Sequence, residues 1–352
     1  MTDIKFGSYL FFGPIEQIIQ QGLLAERYGF DSVWFPDHHI SVIPTTECPE
    51  NWTVLTAIGM RTKRIVLGPA VTDPLRRHPS TTAQTVATLD RLLGGRVALG
   101  IGAGERMNLI PFGIPWTSPI ERLREAVKCI KMLWSATTEE PASYEGKFFH
   151  LKDAFLGIKP RQDPPIYIGA LGPRTRELVG ELAEGWFPWI ITPELFKESL
   201  KDIEKGAKKV GRNLREIDAA VVAYTAITED YEEAIRMIEP RGKMALILER
   251  RVLERIYRRI SLTDEITIQK TIPTNKSLRI LREAVEEIPI EAVEAISICG
   301  TVDHCIKKIE KYIEAGSKHI IISNQDPNIE NTLRQYGEKI IPYFKAEYGE
   351  GV

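Results

Sequence analysis

One feature constrains this fold above the rest: short apolar runs alternate with longer amphipathic stretches, and the alternation recurs eight times along the chain. A run of about 4–8 apolar residues is short for a helix and too uniformly apolar for a half-exposed strand, so it suits a strand buried in a parallel sheet. The stretches between carry apolar residues three and four apart, the period of a helix that packs one face onto such a sheet. Strands are expected at Ile4–Leu10, Ser32–Pro36, Ile65–Val71, Arg96–Ile101, Pro165–Ala170, Trp186–Ile191, Ile217–Thr228 and Lys318–Ser323. Eight βα units predict a (β/α)8 TIM barrel in the α/β class rather than a doubly wound sheet. By length alone, 352 residues would also allow two domains. The pattern instead reads as one domain, 1–352, whose excess over a plain barrel is a helical insertion at about 230–297, between the seventh and eighth strands.

Charge and cysteine usage narrow the function classes. Lys and Arg number 46 against 48 Asp and Glu, a net charge of −2 that lacks the basic excess of a nucleic-acid or anionic-membrane binder. Cys48, Cys129, Cys299 and Cys305 are scattered with no Cys-x-x-Cys pair, so neither a metal set nor a disulfide framework is expected. No apolar run approaches the roughly 18–20 residues needed to cross a bilayer. The N-terminus, MTDIKFGSYLFF, has no basic region before its apolar stretch. The expectation is a cytoplasmic protein acting on a small molecule, with no nucleic-acid or membrane partner.

In such barrels the active site forms where strands end, so the residues just after each strand carry the information. They are Asp37-His38-His39, PAVTDPLRRHP (69–79), GIGAGERMN (100–108) and GALGPRT (169–175). Each alone also reads as a cap, a turn or relief of crowding at glycine. Gly100-x-Gly102-x-Gly104 is not a dinucleotide-binding fingerprint. Glycine before the helix that starts near Arg174 would expose backbone N–H groups suited to a phosphate. In the insertion, IEPRGKMALILERRVLERIYRRI holds seven Lys and Arg against three Glu. It reads as a solvated helix face or as a lid meeting an anionic cofactor or substrate tail.

The stretches SVWFPDHH, LGPAVTDPLRRHPSTTAQTVATLDRL, GRVALGIGAGERMN, PIYIGALGPRT and CGTVDHCIKKIEKYIEAGSKHIIIS resemble the bacterial-luciferase-like superfamily, in its coenzyme F420 (deazaflavin) branch. The resemblance covers most of the chain and thins over 230–297. It is nearest to the phthiodiolone-ketoreductase-like group. Methylenetetrahydromethanopterin reductase and the deazaflavin-dependent glucose-6-phosphate and alcohol dehydrogenases are more distant.

This resemblance implies an oxidoreductase that moves a hydride between F420 and a carbonyl, alcohol or imine-type substrate, commonly as a homodimer. It implies His38 and Glu105 as catalytic residues, with Asp37 and Asn108 at the cofactor. It puts a non-prolyl cis peptide at Ala70-Val71, in a bulge running on to Thr72 that backs the ring. Gly172, Pro173 and Arg174 match the loop that holds the cofactor phosphate, and Arg76, Arg77 and Arg174 are expected to meet its phospholactate and oligoglutamate tail. Two departures stand out. Ile40, Ser41 and Val42 follow the His where the sugar dehydrogenase has a Trp, and Tyr9 lies where the pterin reductase has a Glu. Tyr9, Trp52, Trp186 and Trp189 are candidates for the mouth, with a core role the plainer reading. The alternatives are an FMN-dependent monooxygenase and a cofactor-binding protein without turnover.

Overall fold

The structure is a computed structural model that describes residues 4–43, 46–257 and 266–348. Eight parallel strands run β1 (Lys5–Tyr9), β2 (Ser32–Phe35), β3 (Val66–Pro69), β4 (Leu99–Ile101), β5 (Ile166–Gly169), β6 (Gly185–Phe187), β7 (Asp218–Ile227) and β8 (His319–Asn324). Their order in the sheet is β3-β2-β1-β8-β7-β6-β5-β4, with helices outside, as a TIM barrel requires. The seam between β3 and β4 is closed by single bridges at Leu67–Val97 and Thr72–Ile101. It is tight because β4 carries glycine there: a Cβ on Gly100 would sit 1.9 Å from the Pro69 carbonyl oxygen. Just past β3, the Ala70–Val71 peptide bond is cis.

The apolar runs are buried on both faces, which is why they do not alternate. Phe6, Val33, Leu67, Ile166, Val221 and Ile320 face the helices, and Trp34, Tyr167, Phe187, Val222 and Ile321 fill the interior. Toward the strands' N-terminal ends, polar groups inside the barrel pair with one another, though His319 Nδ1 and Asp218 Oδ1 are left without a hydrogen bond. Ser32 Oγ and His319 Nε2 are 2.8 Å apart, and the Tyr167 hydroxyl donates to Asp218 Oδ2 at 2.7 Å. His319 Nδ1 lies 3.4 Å from the same Asp218 oxygen. This Ser–His–Asp order lies within the packed interior rather than at the mouth, where the position argues for a structural role.

The insertion is helical as expected, with helices Tyr231–Leu248, Arg250–Ile256, Asn275–Val285 and Ile290–Ile296. Residues 258–265, including the end of the basic stretch, lie outside the described residues. These helices share a second apolar cluster around Ile238, Leu246, Leu281 and Val293. Two features depart from the sequence reading. The insertion ends in a ninth strand of the same sheet, Ser297–Gly300, pairing in parallel with Tyr224–Ile227 of β7. An antiparallel hairpin, Ala142–Glu145 with His150–Ala154, precedes β5. Among the described residues no helix is long and apolar enough to cross a membrane, and no group of three or more His, Cys, Asp or Glu could hold a metal ion.

Candidate active site

The C-terminal ends of the strands open into a cavity of about 1060 Å³. The barrel contributes Tyr9, His38, Val71, Glu105, Gly172 and Tyr224, and the insertion closes over them with Arg241, Met244, Leu248 and Arg251. The loops singled out after β2, β3, β4 and β5 therefore converge on one space.

His38 and Glu105 meet at its centre. His38 Nε2 is 3.4 Å from Glu105 Oε2, with the side chains 18% and 24% exposed. Asn108 holds both loops in register. Its Oδ1 accepts the backbone N–H groups of His39 and Ile40 at 2.8 and 3.2 Å, and its Nδ2 donates to Glu105 Oε2 at 3.4 Å. The Phe12 ring packs 5.1 Å from the imidazole, and His38 Nδ1 is buried with no hydrogen-bond partner. Burial pushes the Glu105 carboxyl up to about 8. Burial, seconded by the Arg76 charge, pushes His38 down to about 4. Both shifts favour the uncharged form, so near neutral pH the pair is an imidazole beside a carboxylic acid.

Asp37 lies beneath this pair and is 5% exposed. Thr72 Oγ1 donates to its Oδ2 at 2.6 Å, and Arg76 Nη2 donates to its backbone oxygen at 2.6 Å. Arg76 Nε also pairs with Asp73, whose Oδ1 accepts the N–H groups of Leu75 and Arg76 at 2.9 Å each. Arg76 is thus paired with two buried carboxylates. Arg76 lines the cavity in this state and ties the loop after β3 to the loop after β2. Arg77 points elsewhere, pairing with Glu50 outside the cavity lining.

Val71 rises from the bulge into the mouth, and two glycines leave it room. A Cβ on Gly102 would lie 2.6 Å from a Val71 methyl, and one on Gly169 would lie 3.0 Å away. The Gly-rich loop thus accommodates the bulge. Helix Pro173–Leu182 starts at the cavity edge with Gly172 as N-cap and no side-chain cap. The Gly172 N–H donates to Thr175 Oγ1 at 3.3 Å and Pro173 has no N–H, so the first-turn N–H groups left without an intrahelical partner begin at Arg174, as an anion site needs. Arg174 is at the rim, 76% exposed and 3.0 Å from Glu121.

Of the aromatic candidates, Tyr9 and Trp189 line the cavity, whereas Trp52 and Trp186 are buried away from it. Burial, then Tyr224 and Glu105, holds the Tyr9 hydroxyl far above its ordinary range. Asp73, Tyr224, Arg241 and Arg251 were not singled out from the sequence. Asp73 had a signal, standing three residues before Arg76 in a loop of turn formers. The insertion's cations offered only the basic excess of their stretch.

The family of luciferase-like monooxygenases matches residues 4–319. The chain is 33% identical over 348 residues to an F420-dependent glucose-6-phosphate dehydrogenase of Microbacterium testaceum, covering 96% of this chain and 95% of that one. It is 30% identical to the 5,10-methylenetetrahydromethanopterin reductase of Archaeoglobus fulgidus, covering 92% and 94%. Among solved structures, an F420-dependent secondary alcohol dehydrogenase bound to an F420–acetone adduct superposes with a TM-score of 0.82 at 25% identity, covering 96% and 98%. The F420-dependent tetrahydromethanopterin reductase of Methanopyrus kandleri superposes at 0.79 and 28%, covering 97% and 100%. An FMN-bound Baeyer–Villiger monooxygenase from Pseudomonas putida, at 0.69 and 19%, shares the fold alone. By its barrel, its mouth and its similarity over nearly its whole length, this chain belongs to the luciferase-like monooxygenase family.

Proposed function

We propose that the chain is an F420-dependent oxidoreductase that moves a hydride between the deazaflavin and a carbonyl, alcohol or imine-type carbon of a small molecule. The observation that carries this is the His38–Glu105 pair, 3.4 Å apart inside a cavity lined largely by aromatic and aliphatic side chains. F420-dependent relatives at 25–33% identity support it, whereas the FMN enzyme shares only the fold.

The site fits the coenzyme. Val71 offers an apolar face to a ring, His38 Nδ1 lacks a partner, and the uncapped helix start at Gly172–Arg174 suits a phosphate. Asp37, Ala70, Thr72 and Asn108 would frame the ring, with Pro173 shaping the phosphate loop. When bound, the coenzyme supplies or takes up the hydride, which leaves the protein to orient the substrate and manage one proton. In reduction, the Glu105 carboxyl holds a proton at neutral pH and donates it to the substrate oxygen. In oxidation the same step runs backward: the Glu105 carboxylate takes up the hydroxyl proton, and neutral His38, 3.4 Å away, orients the oxygen. Asn108 fixes the separation of the two groups.

The test is anaerobic mixing of the protein with reduced F420 and a panel of ketones, following the deazaflavin's absorbance. Turnover is expected, and His38→Ala and Glu105→Gln should each lower kcat by about 10²–10⁴ while leaving coenzyme affinity near the parent's. Flavin-dependent oxygen uptake would sink this reading in favour of the FMN monooxygenase, and binding without turnover would leave a carrier protein. We further propose a cytoplasmic homodimer, supported by the family resemblance. Sedimentation equilibrium and cell fractionation test these two points.

A further inference from the structure

The insertion brings into the cavity a cation that the barrel does not neutralise. Arg241, on helix Tyr231–Leu248, lines the wall with its guanidinium carbon 4.0 Å from the centroid of the Phe11 ring. Four carboxylates line the same cavity, and each is accounted for. Asp37 and Asp73 are taken by Arg76, Glu254 pairs with Arg250, and burial keeps Glu105 protonated near neutral pH. On Arg241's own helix, Glu239 is held by Lys243 at 2.7 Å. Among the described residues no carboxylate pairs with Arg241.

Removing a guanidinium from water without a counter-ion is unfavourable, and one aromatic face offsets only part of that. The helix that carries it is nevertheless closely seated. The next residue, Gly242, sits so close to Val293 that a Cβ would lie 2.4 Å from a valine methyl. Phe11 and Tyr224 are beside the guanidinium, and Tyr9, Trp189, Met244 and Glu105 line the same cavity. Phe11 follows β1 and Tyr224 lies on β7, whereas the helix start at Gly172 follows β5.

We propose that Arg241 receives a carboxylate carried by the substrate. The apolar or aromatic body of that substrate lies against Phe11, Trp189 and Met244, and its reacting carbon reaches the His38–Glu105 pair. A planar guanidinium meets a carboxylate through two parallel hydrogen bonds, which gives orientation as well as charge. The assignment rests on reading the cavity as an oxidoreductase site, and it names the substrate class: apolar or aromatic oxo acids and their hydroxy-acid counterparts.

Binding can test this separately from turnover. Benzoate and benzamide match in shape and differ in charge, so calorimetric titration of the full chain with each, alone and with oxidised F420, isolates the charge. Benzoate is expected to bind the parent at least about tenfold more tightly. Arg241→Met keeps length and packing over Phe11 and should erase the preference, while Arg241→Lys should retain part of it. The coenzyme's Kd should be the same in all three proteins. Equal affinities in the parent, or a preference surviving in Arg241→Met, would overturn the proposal. So would an Arg241→Met protein that loses coenzyme affinity instead, which would assign the residue to the coenzyme's tail. Phenyl phosphate binding more tightly than benzoate would overturn the carboxylate assignment. A benzoate preference that depends on Arg241 in a protein with no affinity for F420 would uphold this site while sinking the proposed function.

Discussion

At the residue scale, the fold keeps Glu105 and His38 uncharged, and this gives opposite pH signs at the two ends. Glu105 is raised from 4.5 to about 8, so its contribution to stability is full below pH 4.5 and is lost as pH rises through about 8. His38 is lowered from 6.5 to about 4, so its contribution is present above pH 6.5 and is lost as pH falls through about 4. Glu105→Gln keeps the shape and removes the titration. Its melting temperature relative to the parent should stay constant below pH 4.5, rise between there and about pH 8, and level off above. A flat difference across that range would mean that Glu105 is already ionised in the folded protein. The same titration predicts that parent kcat for carbonyl reduction falls above about pH 8, where the proton to be donated is gone.

At the element scale, two glycines set how closely segments approach. Gly242 lets helix Tyr231–Leu248 press onto Val293 of helix Ile290–Ile296, inside the insertion's own apolar cluster. Valine is stiff at χ1, so Gly242→Ala must move the helix, and over-packing of this kind typically costs about 1–3 kcal/mol. Gly100→Ala would meet the Pro69 carbonyl, which no rotamer change relieves, so its loss of stability should be the larger. Thermal denaturation ranks the two, and Gly242→Ala with unchanged melting and unchanged benzoate binding would show that this contact does not hold the helix. The βα order was legible because apolar runs and helical periods are local signals. The hairpin at 142–154 was not, because SYEGKFFHLKDA exposes much of both strands and leaves no apolar run. Nor was strand Ser297–Gly300, four residues that follow helix Ile290–Ile296 without a break. His38 and Glu105 could be read as polar residues just past strands. Arg76 could not, since its partner Asp37 is 39 residues away on another loop.

At the scale of the whole molecule, a net charge of −2 says little, because what matters is which cations keep their charge at the mouth. The three arginines expected there divide three ways: Arg76 lines the cavity paired with Asp37 and Asp73, Arg77 pairs with Glu50 outside the cavity, and Arg174 is at the rim. The insertion adds Arg251, whose guanidinium lies 3.0 Å from where a Gly172 Cβ would be, over the uncapped helix start. A phospholactate and oligoglutamate tail would thus meet the barrel's N–H groups from one side and the insertion's charge from the other. Arg174→Ala and Arg251→Ala should each raise the Kd for F420 severalfold at low salt. The difference should shrink at high salt, since exposed charges are screened over about 10 Å at 0.1 M ionic strength. Arg77→Ala should leave the Kd unchanged. Arg76→Ala should instead lower stability by about 3–5 kcal/mol, because it strands two buried carboxylates. Fluorescence titration of the deazaflavin across a salt series, alongside thermal melts, separates these cases. If Arg77→Ala weakened the coenzyme as much as Arg251→Ala, or if the Kd ignored salt in every protein, the division of labour between barrel and insertion would be wrong.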